Sequence, residues 1–275
     1  MFNKGFVSKV GFFIALTGTV LMPADQANAG TLVNWDDYAS GWTAPKSGET
    51  RSLVSGSGTT EINFLLGKDT SFASFGGSGK TPLINSTLNG TDPNTNKSLH
   101  VQIDPKKVGL QQGDNSATLT TRFKNFGGLL EGVSFKLFDI DISSGSWQDR
   151  VILKGFAGGQ VINPIFSVFD STTVKKVGDY TLDGIKAAGN DSDNGNVTVS
   201  FASAIDGFEL VFTDGEAHAN RTNFNPGSHG IGIGDITYTK IVTESVPEPT
   251  TILGLLVFGA FGASSVLKRK QHQPE

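Results

Sequence analysis

The sequence predicts an all-β protein, an antiparallel β-sandwich over residues 30–243, and three observations predict it. Short runs rich in Val, Ile, Phe and Thr recur along that stretch. Several alternate strictly, as in Leu119-Thr121-Phe123, Val197-Val199-Phe201 and Phe208-Leu210-Phe212, which is the period of a half-buried strand. Turn clusters such as LNGTDPNTN, QQGDNS, AAGNDSDNGN and NFNPGSHG separate the runs, and no segment of the body carries an apolar 3.6-residue period over three turns.

In chain order the strands are expected in TTEINFLLG, SLHVQID, ATLTTRFKNF, GVSFKLFDIDI, DRVILKGF, NVTVSFA, GFELVFTD and IGIGDITYTKIV. Residues 76–96 read as a loop-rich insertion, DGIKAAGN as at most one helical turn, and 243–249 as a stalk. No repeat of about 20–50 residues divides the body. Many short antiparallel strands with 35 glycines in the chain suit a jelly-roll-like sandwich. There is no cysteine, so the core, not disulfides, must hold the domain.

The flanks differ from the body. Residues 1–29 carry Lys4 and Lys9, an apolar core from Val10 to Met22, and Ala27-Asn28-Ala29. That is the n-region, h-region and small-x-small site of a secretory signal peptide, with Ala27 and Ala29 at the cleavage site. The domains are then 1–29 signal peptide, 30–243 sandwich, and 244–275 a C-terminal signal. In the last, residues 250–267 are apolar or small and precede Lys268, Arg269 and Lys270. Eighteen residues of helix reach about 27 Å, so a transmembrane helix over 250–267 is expected, with the basic cluster on the cytoplasmic side.

Val246-Pro247-Glu248-Pro249, an apolar stretch and a basic cluster at the C-terminus resemble the PEP-CTERM sorting signal of Gram-negative bacteria and cyanobacteria. The resemblance implies signal peptidase and an exosortase as partners during export. It implies an inner-membrane-anchored intermediate, with the membrane contacted through the C-terminal helix, and then the cell surface or the outside as destination. Two prolines keep the segment before the apolar stretch extended, which suits a processing site.

Charge bounds the ligands. Residues 30–245 hold 17 Lys and Arg against 23 Asp and Glu, a balance that does not suggest nucleic acid. GGSGKT lacks the first glycine of a phosphate-binding loop, since Ser74 stands there, and NDSDNGN has its glycine out of register for an EF-hand loop. There is no Gly-x-Ser-x-Gly elbow and no His-x-x-x-His pair. A non-catalytic protein is expected.

Two constellations remain. In GVSFKLFDIDI the core phase Val133-Phe135-Leu137 runs into Asp139 and Asp141, and in IGIGDITY Ile231-Ile233 runs into Asp235. Carboxylates do not continue a core face uncompensated. Either the strands bulge, passing the inward phase to Phe138, Ile140, Ile142, Ile236 and Tyr238, or Asp139, Asp141, Asp149 and Asp235 gather at a structural calcium, with Arg150 as an alternative partner. The second constellation is Trp35, Trp42 and Trp147, the three tryptophans, whose faces are candidates for stacking on sugar rings. The body also resembles bacterial jelly-roll carbohydrate-binding and lectin-like modules, a resemblance that implies calcium held by an Asp of the last strand. The expectation is an exported surface or matrix protein associated with exopolysaccharide, with a carbohydrate-binding module for a defined glycan as the alternative.

Overall fold

A computed structural model describes residues 30–242 except 56–57, 76–79, 91–95, 108–115 and 222. The chain runs β1 (Gly30–Val33), α1 (Trp35–Ala39), β2 (Thr50–Ser55), β3 (Gly58–Leu66), β4 (Thr70–Phe72), β5 (Leu83–Asn85) and β6 (Ser98–Pro105). It continues through β7 (Thr118–Lys124), β8 (Leu129–Glu131), β9 (Ser134–Phe138), β10 (Ile142–Ser143), β11 (Trp147–Ala157), β12 (Gln160–Ile162) and β13 (Pro164–Ser167). The last elements are β14 (Val174–Gly178), β15 (Thr181–Gly184), β16 (Val197–Phe201), β17 (Gly207–Asp214), β18 (His229–Ile233), β19 (Ile236–Tyr238) and β20 (Lys240–Val242).

The strands build two nine-stranded antiparallel sheets. The first follows the path β1-β19-β9-β18-β6-β4, with β16 joining β13 to β9 and β5 beside β6. The second follows β14-β15-β11-β17-β7-β3-β2, with β10 and β12 on β11. A small ribbon pairs β20 with β8.

Alternation explains how the sheets stack. Leu119 and Phe123 of β7, Val151 and Leu153 of β11, and Phe208, Leu210 and Phe212 of β17 are buried on the inner face of the second sheet. Val101, Ile103, Leu137, Val197, Val199, Ile231 and Ile233 answer from the first, in one core cluster. Phe135 of β9 stacks on Phe208 of β17 at 4.7 Å between ring centres, which ties the two faces together. This is the expected sandwich, with the expected alternating positions inward.

The ends of the two acid-bearing runs resolve as bulges. Asp139 takes a left-handed backbone, φ 64°, and Phe138 and Ile140 on either side of it are fully buried. In the other run Ile236 and Tyr238 take the inward phase.

One expectation about the fold is corrected. Among the described residues no helix is long and apolar enough to cross a membrane. The described α-helix is the five-residue α1, against roughly 20 residues for a span. The transmembrane helix expected over 250–267 lies outside the described residues. The membrane contact and the inner-membrane-anchored intermediate that rested on it are withdrawn. The signal-peptide residues Ala27 and Ala29, the Val246-Pro247-Glu248-Pro249 motif and Lys268, Arg269 and Lys270 also lie outside the described residues.

Candidate functional site

The strand register places a polar cavity against the first sheet. Leu99, Val101 and Ile103 of β6 face the core, so His100 and Gln102 face the other way. They are nonetheless buried, because the segment 73–98 folds over them. Phe75 meets the His100 ring edge-on at 5.5 Å, and the Gln102 N–H donates to the Thr81 hydroxyl at 2.9 Å. On neighbouring β18, Gly230 and Gly232 pair with Gln102 and His100. A Cβ at Gly232 would collide with the Leu88 carbonyl oxygen. Glycine is required there because the covering backbone lies directly on the strand.

The β9–β11 connection supplies the other wall. Asp139, Asp141, Ile142, Ser143 and Trp147 line a cavity of about 310 Å³ together with Phe75, Leu88, His100, Gln102, His229 and the 187–190 segment. Asp141 is fixed from two sides. Its N–H donates to Asp149 Oδ2 at 3.0 Å, and its Oδ2 accepts from the Ala188 N–H at 2.8 Å. Asp149 Oδ1 bonds His229 Nδ1 at 2.6 Å. Both of these side chains are buried.

Four lining residues each carry a buried polar atom without a partner in the protein: His100 Nε2, Gln102 Oε1, Asp139 Oδ1 and His229 Nε2. Such an atom costs about 1–3 kcal/mol when left unmade. Four around one cavity point to a ligand that supplies donors and acceptors.

Electrostatics sets what these atoms offer. Burial pulls His100 down to about 4, with Gln102 opposing in part, so the ring is neutral at pH 7. The Asn85 amide donates to its Nδ1 at 3.5 Å, which leaves the proton on Nε2. Burial likewise lowers His229 to about 4 and raises Asp149 well above the usual carboxylate range, with Asp141 adding to the rise. The pair is therefore held net neutral. Whichever of the two holds the shared proton, His229 Nε2 keeps its own and is a donor. Asp139 is pushed up to about 8, first by burial and then by the charges of Asp149, Asp141 and Asp191. Burial also raises Asp141, against the Ala188 N–H and the Trp147 side chain.

The calcium expectation fares differently for its four residues. Asp139, Asp141 and Asp149 come together, while Asp235 accepts from the Trp35 N–H at 2.9 Å. Among the described residues no group of three or more His, Cys, Asp or Glu is arranged to hold a metal ion. Arg150 does not serve the cluster either. It grips Asp183 at 2.6 and 2.7 Å and Glu216 at 2.8 Å.

The tryptophans also separate. Trp35 is fully buried and donates its indole N–H to the Gly234 carbonyl at 2.9 Å, so it is a core residue and the stacking expectation is corrected there. Trp42 packs edge-on against it at 6.4 Å and donates to the Pro82 carbonyl. Trp147 alone of the three lines the cavity. Sequence reading missed His100, Gln102 and His229. Their signal was present: His100 and Gln102 alternate with the apolar residues of SLHVQID, and His229 shares the phase of Ile231 and Ile233.

A larger cavity, about 840 Å³, lies at the β7–β17 end beside Phe126, Phe156 and the Arg122–Glu209 ion pair. None of its lining residues carries a buried polar atom without a partner.

Residues 245–270 match the PEP-CTERM protein-sorting motif. The chain thus carries the sorting motif of exported proteins, and the match covers only this C-terminal stretch. No curated protein sequence matches the chain. A crystal structure of a candidate sugar-binding protein from Bacteroides thetaiotaomicron aligns over 76% of this chain and 99% of its own, at 13% identity and a TM-score of 0.31. Likeness at that level carries no argument about fold or ligand here.

Proposed function

We propose that this chain, which bears a PEP-CTERM sorting motif, is a non-catalytic carbohydrate-binding protein that works outside the cell. The signal-peptide pattern of residues 1–29 supports export. The single observation that carries the reading is the cavity of about 310 Å³, which combines an indole with four buried, unpartnered polar atoms. Aromatic area beside a few placed polar groups is the composition of a small-molecule site, and the volume stands at the low end of the usual ~300–1,000 Å³. Room for one ring and a wall of donors and acceptors suit a sugar residue at the end of a glycan or exopolysaccharide chain. Trp147 would supply the stacking face, and His100, Gln102, Asp139 and His229 the bonds to hydroxyl groups.

A glycan array followed by titration calorimetry on the purified protein tests this. Trp147→Ala is expected to weaken binding at least tenfold while melting stays close to that of the parent. Trp42→Ala, away from the cavity, is expected to leave affinity unchanged. Unchanged affinity in Trp147→Ala would remove the cavity from the binding site, and an array with no bound glycan would refute the reading.

A further inference from the structure

The reading of the cavity as a sugar site can be taken further through Asp139. Its φ of 64° is uncommon for a residue other than glycine and is characteristic of strained functional positions. The strain is held by its surroundings. The Ile140 N–H bonds the Gly195 carbonyl at 2.9 Å, and a Cβ at Gly195 would stand 3.1 Å from the Asp139 Cα. The carboxyl lines the cavity with Oδ1 unpartnered.

Every element packed around it contributes acids or neutral rings. Asp141 and Asp149 come from the β10–β11 side, and Asp191 from the loop before β16. His100 comes from β6 and His229 from β18, with Asp214 beyond His229. No Lys or Arg lines the cavity, and the nearby Arg150 is committed to Asp183 and Glu216.

We propose that the cavity takes a single uncharged sugar residue and that Asp139, as a carboxylic acid, donates a hydrogen bond to one of its hydroxyls, so that alkaline pH releases the ligand. This rests on the carbohydrate reading above and specifies its ligand class and its control. The donor count follows from geometry. His100 Nε2 and His229 Nε2 carry protons, Gln102 Oε1 accepts, and Asp139 donates. Sugar hydroxyls both donate and accept, so they match a mixed set. An acidic sugar would bring its carboxylate against Asp141, Asp149 and Asp191. A cation would need the charge that Asp139 withholds near neutral pH, where burial and three acids hold its carboxyl up to about 8.

The experiment is calorimetry of the purified protein with the methyl glycosides of glucose, galactose and mannose, and with glucuronate, from pH 6 to 9.5. At least one neutral glycoside is expected to bind at pH 6.5. Its affinity is expected to fall toward tenfold per pH unit above 8, and glucuronate to bind at least tenfold more weakly. Asp139→Asn keeps a donor, and asparagine tolerates the left-handed backbone. This variant is expected to bind at pH 6.5 and to hold that affinity at pH 9.5. Three results would each overturn the proposal while leaving sugar binding intact: a flat pH profile in the parent, glucuronate as the tighter ligand, or an affinity that requires added calcium. Absence of binding by every glycoside at every pH would overturn the carbohydrate reading along with it.

Discussion

Arg150 illustrates how much a single buried side chain holds together. Its guanidinium forks onto both oxygens of Asp183 and reaches Glu216, with 10% of the Arg150 side chain and 8% of the Asp183 side chain exposed. Burial would disfavour the charge, yet Asp183 first and Glu216 next raise the Arg150 pKa further. Removing one member of such a pair leaves an uncompensated buried charge, at about 3–5 kcal/mol. Arg150→Ala is therefore expected to lower stability by that order in denaturant unfolding, and Asp183→Asn added to it to recover part of the loss. Equal stability of Arg150→Ala and the parent would mean that the pair is not closed in solution. Arg150 was legible in the sequence only as a generic partner for nearby acids. Asp183 stands 33 residues away, and only the pairing of β11 with β15 places it opposite Arg150.

At the scale of elements, β18 divides its two faces between two tasks. Ile231 and Ile233 are fully buried in the core, and Gly230 and Gly232 leave the other face bare. On that bare face the Leu88 backbone lies against Gly232, and Ser98 Oγ bonds the Leu88 carbonyl from β6. This cover buries His100 and Gln102. Gly232→Ala is expected to push the cover off by steric conflict with a backbone oxygen, which has no flexible end to yield. The expected readouts are a stability loss of about 1–3 kcal/mol, typical of overpacking, and sugar affinity reduced at least tenfold. A Gly232→Ala protein with parental affinity and stability would show that the cover does not shape the site. Gly-Ile-Gly-Ile was readable as a strand, but its glycines gave no hint of what lay upon them.

For the whole molecule, the buried acids and imidazoles set a pH window. Asp139, Asp141, Asp149 and Asp214 are all raised in the folded state by burial. A raised acid binds its proton more tightly when folded, so its contribution is complete below pH ~4 and is lost as pH climbs through the folded value. His100 and His229 are lowered to about 4, so they oppose folding as pH falls from about 6.5 towards 4. Between pH 4 and 6.5 the two trends oppose each other, and above 6.5 only the acids act. Melting temperature is expected to fall by about 2–5 °C between pH 6.5 and 8.5, corresponding to roughly 1–2 kcal/mol. Asp139→Asn is expected to flatten that slope. A melting temperature that rises with pH over this interval would contradict the burial of these acids.

By itself the sequence determined the all-β sandwich, the inward residues of its long strands, and the sorting motif at its C-terminus. Each of these is a local pattern: a period of two, a turn composition, or a linear motif read without reference to distant residues. The tertiary structure decided what the polar residues do. Asp139 and Asp141 looked like ligands in phase with Asp235, but a left-handed residue broke the phase and Asp235 was taken up by the Trp35 N–H. Three tryptophans looked equivalent until packing buried Trp35 and left Trp147 at a cavity. His100 and His229 meet that same cavity from strands 129 positions apart in sequence, joined by the β18–β6 register. Alternation tells which side of a strand a residue occupies. It does not tell which other strand lies beside it or what covers that face, and those long-range placements decide whether a polar atom is solvated, paired or left open for a ligand.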